Sequence, residues 1–277
     1  MLTVFDHLDM TIPFCNSRAA LVIAHPGHEL RVYHWLRLAR PLCFVLTDGS
    51  GRSGKSRLNS TTKLLDQNGA QAGCIYGRLT DHAFYSAIIK GEFDLFIGLT
   101  GELARELERE EIEYVVGDAK EGYNPVHDVC RLMINAAVEI VNRKRDQPIP
   151  NFEVFLTGQA DNHPERIAGD MWLDLDEDSL SKKLEAARAY PEIASDVDRI
   201  LKQEGIQAIQ TELLRLARNH STCDRVTETP DYEFHGEQQV AAGHYEQVLR
   251  YREHVTPLAE ALRYYSERAT DGPCCKL

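Results

Sequence analysis

The sequence predicts an α/β protein with a Rossmann-like, mostly parallel sheet that has helices on both faces, followed by a mostly helical C-terminal region. Two observations lead to this prediction. In the first 145 residues, short continuous apolar segments alternate with amphipathic segments, as expected for strands buried on both faces and joined by helices of about 10 to 15 residues. After these residues the amphipathic segments become longer and dominate the chain.

The elements of the first part follow from this alternation. The predicted strands cover Ala19 to Ala24, Leu42 to Leu46, Ile75 to Tyr76, Phe93 to Leu99 and Ile112 to Val116. The predicted helices cover Glu29 to Leu38, Arg57 to Gln67, Leu103 to Glu111 and Val129 to Val141. Ligands of an open parallel sheet bind at the carboxyl ends of its strands, so candidate site residues are expected there.

The segment Arg143 to Pro150 is charged and then proline-rich, which is typical of a boundary. It divides a Rossmann-like domain (residues 1–145) from a mostly helical C-terminal region (residues 146–277) that we expect to pack on it. The second part is predicted to hold a strand over Phe152 to Leu156 and helices over Ser179 to Arg188, Ile193 to Arg218 and Gly243 to Arg268.

Composition excludes several classes of partner. The 277 residues include 31 Lys and Arg against 43 Asp and Glu, a net charge of −12, whereas binding to nucleic acid or an anionic membrane needs clustered cations. The seven cysteines have no regular spacing, and Met1 to Thr11 lacks the pattern of a secretory signal. We therefore expect a cytoplasmic protein without a membrane or nucleic-acid partner, and composition leaves a homo-oligomer open.

Two segments with histidines lie where predicted strands end. Ala24 to Glu29 places His25 and His28 on a turn that enters a helix, and Gly122 to Asp128 places His127 just before another helix. Neutral imidazoles are good ligands for zinc, and three nitrogens with one open position would let the ion activate water. The alternative is that both segments are capped turns with surface histidines.

A third segment predicts a different chemistry. Gly49 to Ser56 matches G-x-x-x-x-G-K-[ST] between a strand and a helix. In a phosphate-binding loop of this kind, backbone amides surround the phosphates, Lys55 reaches the outer ones, and Ser56 with Asp118 holds magnesium. This nucleotide-binding alternative leaves both histidine segments without a role.

The first two segments resemble the PIG-L/LmbE-like family of zinc-dependent de-N-acetylases of glycans and related metabolites. That family has A-H-P-D-D-E after its first strand, a T-x-G-type loop after its second, and H-P-D-H before a later helix. The matching residues are Ala24 to Glu29, Thr47 to Gly49 and Asn124 to His127, within a resemblance over residues 19–145. It implies a metal-dependent hydrolase that removes an N-acyl group from a sugar-containing or polar metabolite, a glycan or sugar conjugate included.

Carried over position by position, the resemblance implies a ligand set for Zn²⁺ or another divalent transition metal. The ligands would be His25, His28 and His127, with His28 in place of the family's second Asp. Arg57 resembles the family's substrate-contacting Arg, and Tyr123 is a second candidate substrate-binding residue. Under this interpretation the Gly49 to Ser56 segment is a glycine-rich active-site loop.

The departures from the family concern proton transfer. The family's general base is replaced by Gly27, and the first His of H-P-D-H by Asn124. Glycine accepts no proton, and Asn can donate a hydrogen bond to an oxyanion but cannot act as an acid. Loss of such a group typically lowers the rate by about 10²- to 10⁴-fold.

Two accounts fit these departures. In the first, another carboxylate is the base: Asp48 is the best placed, followed by Glu29, Glu121 and Asp128. The candidate catalytic residues are then Asp48, Asp128 and Asn124, although Asp48 could instead turn its loop and Asp128 could cap its helix. In the second, the protein binds metal and a ligand without hydrolysing amides.

Overall fold

A seven-stranded sheet forms the centre of the protein. The computed structural model describes residues 16–156, 167–217 and 229–269. Its strands are β1 (Ala19–Ile23), β2 (Leu42–Thr47), β3 (Gln71–Leu79), β4 (Tyr114–Asp118), β5 (Asn151–Val154), β6 (Met171–Asp174) and β7 (Thr211–Leu216). The strand order is β3-β2-β1-β4-β5-β7-β6. Neighbours among the first five strands pair in parallel, whereas β7 pairs antiparallel with both β5 and β6.

Helices cover both faces of this sheet. They are α1 (Tyr33–Ala39), α2 (Leu58–Asn68), α3 (Asp81–Lys90), α4 (Phe93–Arg109), α5 (Pro125–Asn142), α6 (Glu177–Arg188), α7 (Ala194–Glu204), α8 (Gln207–Gln210), α9 (Asp231–Ala241) and α10 (Thr256–Arg268). Alternate residues of β1 and β2 pack to opposite sides: one core includes α3, α4, α5 and α10, and the other includes α1, α2 and α6. The predicted α/β class and the two helical layers are confirmed.

The sheet order places the candidate site. From β1 the chain proceeds outward through β2 and β3, then returns to the other side of β1 with β4 and β5. Such a reversal opens a crevice outside the carboxyl ends of the two central strands. His25 follows β1, and His127 lies in the first turn of α5 after β4, so both histidine segments border this crevice.

One predicted strand of the first part is wrong. Phe93 to Leu99 is not a strand but the beginning of α4, which continues to Arg109. Its buried residues recur at helical spacing, among them Phe96, Leu99, Leu103 and Leu107. The apolar run was therefore the first half of one long amphipathic helix. The third strand is longer than predicted, and α3 follows it.

Two predicted helices of the second part are also corrected. Within the range Ile193 to Arg218, α7 and α8 are followed by strand β7, whose pairing with β5 and β6 overrides the helical preference of its Leu, Glu and Arg residues. Arg218 lies outside the described residues. The helix predicted from Gly243 begins later, with a π-helical turn over Tyr251–Val255 that leads into α10.

The boundary between residues 145 and 146 remains a prediction. β5, from the second part, pairs in parallel with β4 of the first part, so the sheet continues across it. Met1 to Thr11, which carries the prediction about a signal, lies outside the described residues. Within the described ranges, no helix combines the length and apolar character needed to cross a membrane.

Candidate metal centre

Three imidazole rings meet at the carboxyl edge of the sheet. The ring centroids of His25 and His28 are 5.2 Å apart, those of His25 and His127 5.1 Å, and those of His28 and His127 4.6 Å. His25 and His127 are each only 6% exposed. The sequence placed these residues on two separate segments, and the fold brings all three together; we call them the histidine cluster.

The tautomer of His25 follows from its neighbours. Its Nδ1 lies 2.8 Å from Thr47 Oγ1 and 2.9 Å from Asp81 Oδ1. The Thr47 hydroxyl donates to the Ala24 carbonyl at 3.0 Å, so towards His25 it can only accept, as does the carboxylate. The proton of neutral His25 is therefore on Nδ1, which leaves the Nε2 lone pair for a ligand.

His28 is oriented in the same way by a different carboxylate. Its Nδ1 lies 2.9 Å from Oδ2 of Asp118, and that oxygen also accepts from the Ala24 backbone N–H at 2.7 Å. Burial alone would raise the pKa of Asp118, but the neighbouring His28 and His127 hold it below its usual value. Asp118 is 1% exposed, so an ionised carboxylate beneath the cluster fixes the His28 ring.

Burial keeps the cluster ready to bind a cation. It lowers the pKa of His25, although Asp81 opposes this effect, and it lowers the pKa of His127 well below the ordinary value, with His28 adding to the shift. Both side chains are therefore neutral at physiological pH, the form in which imidazole binds metals. The buried Nδ1 of His127 has no hydrogen-bond partner among the described residues.

The residue types and the ring spacing of the cluster suit a metal ion, but the side chains are not arranged to coordinate one. With Zn–N bonds of about 2 Å, the ring centroids of imidazoles around one tetrahedral zinc are about 5 Å apart. His25 and His28 also have the carboxylate–histidine pairing that accompanies metal-ligating histidines. As the side chains stand, however, no group of three or more His, Cys, Asp or Glu residues in the described ranges could hold a metal ion.

The loop after β2 uses its amides internally. The N–H groups of Ser50 and Gly51 donate to the carboxylates of Asp48 and Asp81, at 3.0 and 2.6 Å. The Gly54 N–H donates to the Ser50 carbonyl, and the exposed Lys55 donates its own N–H to Ser53. A phosphate-binding loop needs such amides free, so the geometry opposes the nucleotide interpretation, and Asp118 contacts His28 instead of serving that loop.

Two predicted residues belong to this loop and its junction with α2. Asp48 follows Thr47 directly and is half-buried, with Oδ1 accepting from Ser50. Arg57 precedes α2, and its Nε donates to the Gly49 carbonyl at 2.6 Å. A Cβ added at Gly27 would lie 3.8 Å from Arg57 Nη1, so this guanidinium reaches the turn between His25 and His28.

The loop before α5 holds the other predicted residues. Asn124, not Asp128, is the N-cap of α5, because its Oδ1 accepts from the Val126 N–H at 2.9 Å. Asp128 is fully buried, and its Oδ1 accepts from the N–H groups of Glu121 and Gly122. Burial raises the pKa of Asp128 to about 6. Tyr123 is 60% exposed at the surface of this loop.

One functional candidate was missed by the reasoning from sequence. Asp81 lies at the start of α3, 56 residues from the histidine that it contacts. No local motif marks it; only the strand order brings it to the cluster.

Glu29, one of the alternative bases, has both carboxylate oxygens hydrogen-bonded within the protein. It is fully buried, accepts from the Gly27 N–H at 2.7 Å and from the Thr61 hydroxyl, and has a pKa raised by burial. Its carboxylate therefore supports the turn that carries His25 and His28.

Solved structures share the fold at low sequence identity. A deacetylase–bog complex from the biosynthesis pathway of teicoplanin is 12% identical, with a TM-score of 0.50 over 73% of this chain and 100% of that one. The A40926 pseudoaglycone deacetylase Dbv21 is 15% identical (TM-score 0.49, 73% and 98% covered). The conserved protein TT1542 from Thermus thermophilus is 18% identical (TM-score 0.45, 73% and 94% covered). No protein-family model and no curated protein matches the sequence.

Proposed function

We propose that this chain is a divergent PIG-L/LmbE-like protein that uses zinc, or another divalent transition metal, to hydrolyse an N-acyl group on a small polar or sugar-containing molecule. The histidine cluster carries the proposal, because its ring centroids lie within 5.2 Å of one another and two of the rings are bonded to carboxylates. The fold shared with a deacetylase of the teicoplanin pathway supports it.

The proposed ligands are His25, His28 and His127. Asp81 and Asp118 hold the first two rings with Nδ1 protonated, which directs the Nε2 lone pairs to a ligand. When bound, the ion would act as a Lewis acid towards the acyl carbonyl and lower the pKa of water. Since the side chains as they stand form no site for it, binding would turn at least one ring.

Asp48 is the proposed proton acceptor. It follows Thr47, whose hydroxyl contacts His25, and its Oδ1 is fixed by Ser50, so Oδ2 is the atom that would take a proton. Asp128, also predicted to be catalytic, is fully buried with its Oδ1 bonded to the loop backbone. We therefore assign Asp128 to holding that loop in place.

Asn124 and Tyr123 are the proposed contacts on the other side of the site. The Asn124 Oδ1 is used as the helix cap, which leaves Nδ2 to donate to a carbonyl oxygen as negative charge develops on it. Donors placed where charge develops are usually the largest single contribution to acyl-transfer catalysis. Tyr123 is exposed on the same loop and offers an aromatic surface to a sugar ring.

Gly27 favours a second candidate function. It stands where the resembled family has its base, and the atoms nearest to a Cβ built there belong to Ile193 and Arg57, neither of which can accept a proton. A protein without a base at this point could retain metal and ligand binding while hydrolysing no amide. The two functions differ in the release of product and not in binding.

The test is release of primary amine from N-acetylated amino sugars by zinc-loaded protein. We expect Asp48→Asn to lower the rate by about 10²-fold or more, because the base is lost. Asp66→Asn, at an exposed position on α2, is the matched control and should leave the rate unchanged. Zinc binding without any amine release would select the second function.

A further inference from the structure

Residues 190–193, from the second part of the chain, lie against the turn that carries two rings of the histidine cluster. A Cβ built at Gly27, in the middle of that turn, would lie 3.5 Å from Ile193 Cδ1. Tyr190 lies between α6 and α7 with its side chain fully buried. The proposed metal ligands all belong to the first part of the chain, so this contact connects them to a segment that is distant in sequence.

A chain of hydrogen bonds joins Tyr190 to this turn. The Thr61 hydroxyl on α2 donates to Glu29 Oε1 at 2.7 Å, and Glu29 Oε2 accepts from the Gly27 N–H at 2.7 Å. Tyr190 Oη lies 2.9 Å from Thr61 Oγ1. Because the single proton of the Thr61 hydroxyl is donated to Glu29, the Tyr190 hydroxyl is the donor to Thr61. We call these bonds, from Tyr190 through Thr61 and Glu29 to Gly27, the Tyr190 chain.

Two further contacts hold residues 190–193 against α2. Tyr190 Oη lies 3.3 Å from the Arg57 carbonyl oxygen, a longer distance than that to Thr61. The Ser60 hydroxyl donates to Glu192 Oε2 at 2.8 Å at the surface. The position of Tyr190 relative to Thr61 is therefore supported from both sides.

Burial makes each bond of the Tyr190 chain matter. The side chains of Glu29, Thr61 and Tyr190 are all fully buried. A buried carboxylate that loses a donor cannot replace it with water, and the loss costs free energy. Without the Thr61 hydroxyl, the Glu29 carboxylate would therefore be free to rotate towards another donor and release the Gly27 N–H.

The Gly27 N–H is the point where the Tyr190 chain acts on the turn. Gly27 has a φ of 108°, a backbone conformation that residues with a Cβ rarely adopt. Within the turn, the His28 N–H lies 3.4 Å from the His25 carbonyl oxygen. The bond from Gly27 to Glu29 is much shorter and is the stronger restraint. Release of Gly27 would thus change how the two histidine rings face each other.

We propose that Tyr190 is a positioning residue of the candidate metal centre, acting through the Tyr190 chain on the turn that carries His25 and His28. The inference rests on the proposed function for the metal ion, whereas the restraint on the turn is a property of the chain without one. The candidate metal centre then depends on both parts of the chain and not on residues 1–145 alone.

Hydrogen exchange of the Gly27 amide, measured by NMR on the full-length, metal-free protein, tests the restraint directly. We expect Thr61→Val to accelerate this exchange by about 10- to 100-fold, the range for a lost hydrogen bond to a charged group, and Tyr190→Phe by about 3- to 10-fold. Thr61→Ser retains the hydroxyl and should restore the wild-type rate. Thr62→Val is the matched control, since the Thr62 hydroxyl on the same helix bonds to Tyr76 at the surface.

The Val115 amide distinguishes positioning from a general loss of stability. Val115 is buried in β4, and its N–H donates to the Pro150 carbonyl, so we expect it to exchange through global unfolding. A merely structural role of Tyr190 would accelerate exchange at Val115 and leave Gly27 unchanged. Unchanged Gly27 exchange in both Thr61→Val and Tyr190→Phe would overturn the proposal.

Cobalt(II) titration, followed by the visible absorption of the bound ion, connects the turn to the metal. We expect Thr61→Val to bind cobalt about 10-fold more weakly, as for other partners behind metal ligands, and Thr61→Ser and Thr62→Val to bind it as the wild type does. Equal cobalt affinity of Thr61→Val and the wild type would overturn the positioning role. No cobalt binding by any of these proteins, with Gly27 exchange still accelerated in Thr61→Val, would reject the proposed function and keep the restraint on the turn.

Discussion

At the residue scale, two carboxylates decide how the histidine cluster is arranged. Asp81 and Asp118 come from the ends of different strands, and each lies 2.9 Å from the Nδ1 of one histidine. Both have a pKa held below the ordinary value despite burial, because they face histidines and hydrogen-bond donors. They stay ionised and fix the tautomer of the rings above them.

The effect of one such carboxylate on metal binding can be measured directly. Asp81→Asn keeps the size of the side chain but removes the charge that orients His25. We expect zinc affinity to fall by about 10- to 100-fold, as for other second-layer partners of metal ligands. Competition against a chromophoric chelator measures the change. The exposed Asp94→Asn is the control, and an unchanged affinity in Asp81→Asn would mean that the charge of Asp81 does not support metal binding through His25.

The three histidines could be predicted from the sequence and their partners could not. His25, His28 and His127 each follow a recognisable strand, so the rule that ligands bind at carboxyl ends was sufficient to expect them at one edge of the sheet, where their rings do meet; their role as metal ligands stays a prediction. Asp81 follows β3, which is separated from β1 by β2, and nothing near it in the sequence suggests a site. Its role depends on three-dimensional order, which local patterns do not contain.

At the element scale, α3 is the helix that supplies Asp81. Thr80 is its N-cap, and its Oγ1 accepts from the Ala83 N–H at 3.1 Å. We expect Thr80→Ala to lower the free energy of unfolding by about 1 kcal/mol, because the cap is lost. Urea denaturation followed by circular dichroism measures the change.

The control for this cap is Thr80→Ser, which retains a hydroxyl at the same position. It should differ from the wild type by no more than a few tenths of a kcal/mol. If both variants lose the same stability, the methyl group of Thr80 and not its hydrogen bond supports α3.

The errors in element prediction have a common cause. Short apolar runs are compatible with strand and helix alike. Phe93 to Leu99 is identified as helical only because it continues into the charged second half of α4. The residues of β7 favour a helix locally, yet pairing with β5 and β6 on either side makes them a strand. Local sequence preference predicted an element correctly where the elements packed against it favoured the same secondary structure.

At the scale of the whole molecule, a buried ion pair joins the C-terminal helices to the sheet. Lys183 Nζ on α6 lies 2.7 Å from Glu212 Oε1 on β7, with side chains 5% and 0% exposed. Burial lowers the pKa of Lys183, and Glu212 opposes that shift. The Glu212 carboxylate also accepts from the N–H groups of His34 and Trp35, so it connects three parts of the chain.

Breaking this pair should destabilise the fold. Lys183→Met leaves the Glu212 charge buried, and we expect a loss of about 3–5 kcal/mol in the free energy of unfolding. Adding Glu212→Gln should recover part of the lost free energy of unfolding, because it removes the buried, unpaired charge of Glu212. Lys182→Met is the matched control, since Lys182 pairs with Asp178 at the surface, and such pairs contribute about 1 kcal/mol at most. Equal effects of Lys183→Met and Lys182→Met would contradict this account.

The central claim is that the histidine cluster binds one metal ion, and metal content tests it most directly. The chain is purified without chelators, incubated with zinc and passed through a desalting column beside a His25→Ala/His127→Ala variant. We predict close to one equivalent of zinc in the wild-type protein and none in the variant, with both proteins folded by circular dichroism. No zinc in either protein, or equal zinc in both, would contradict the claim.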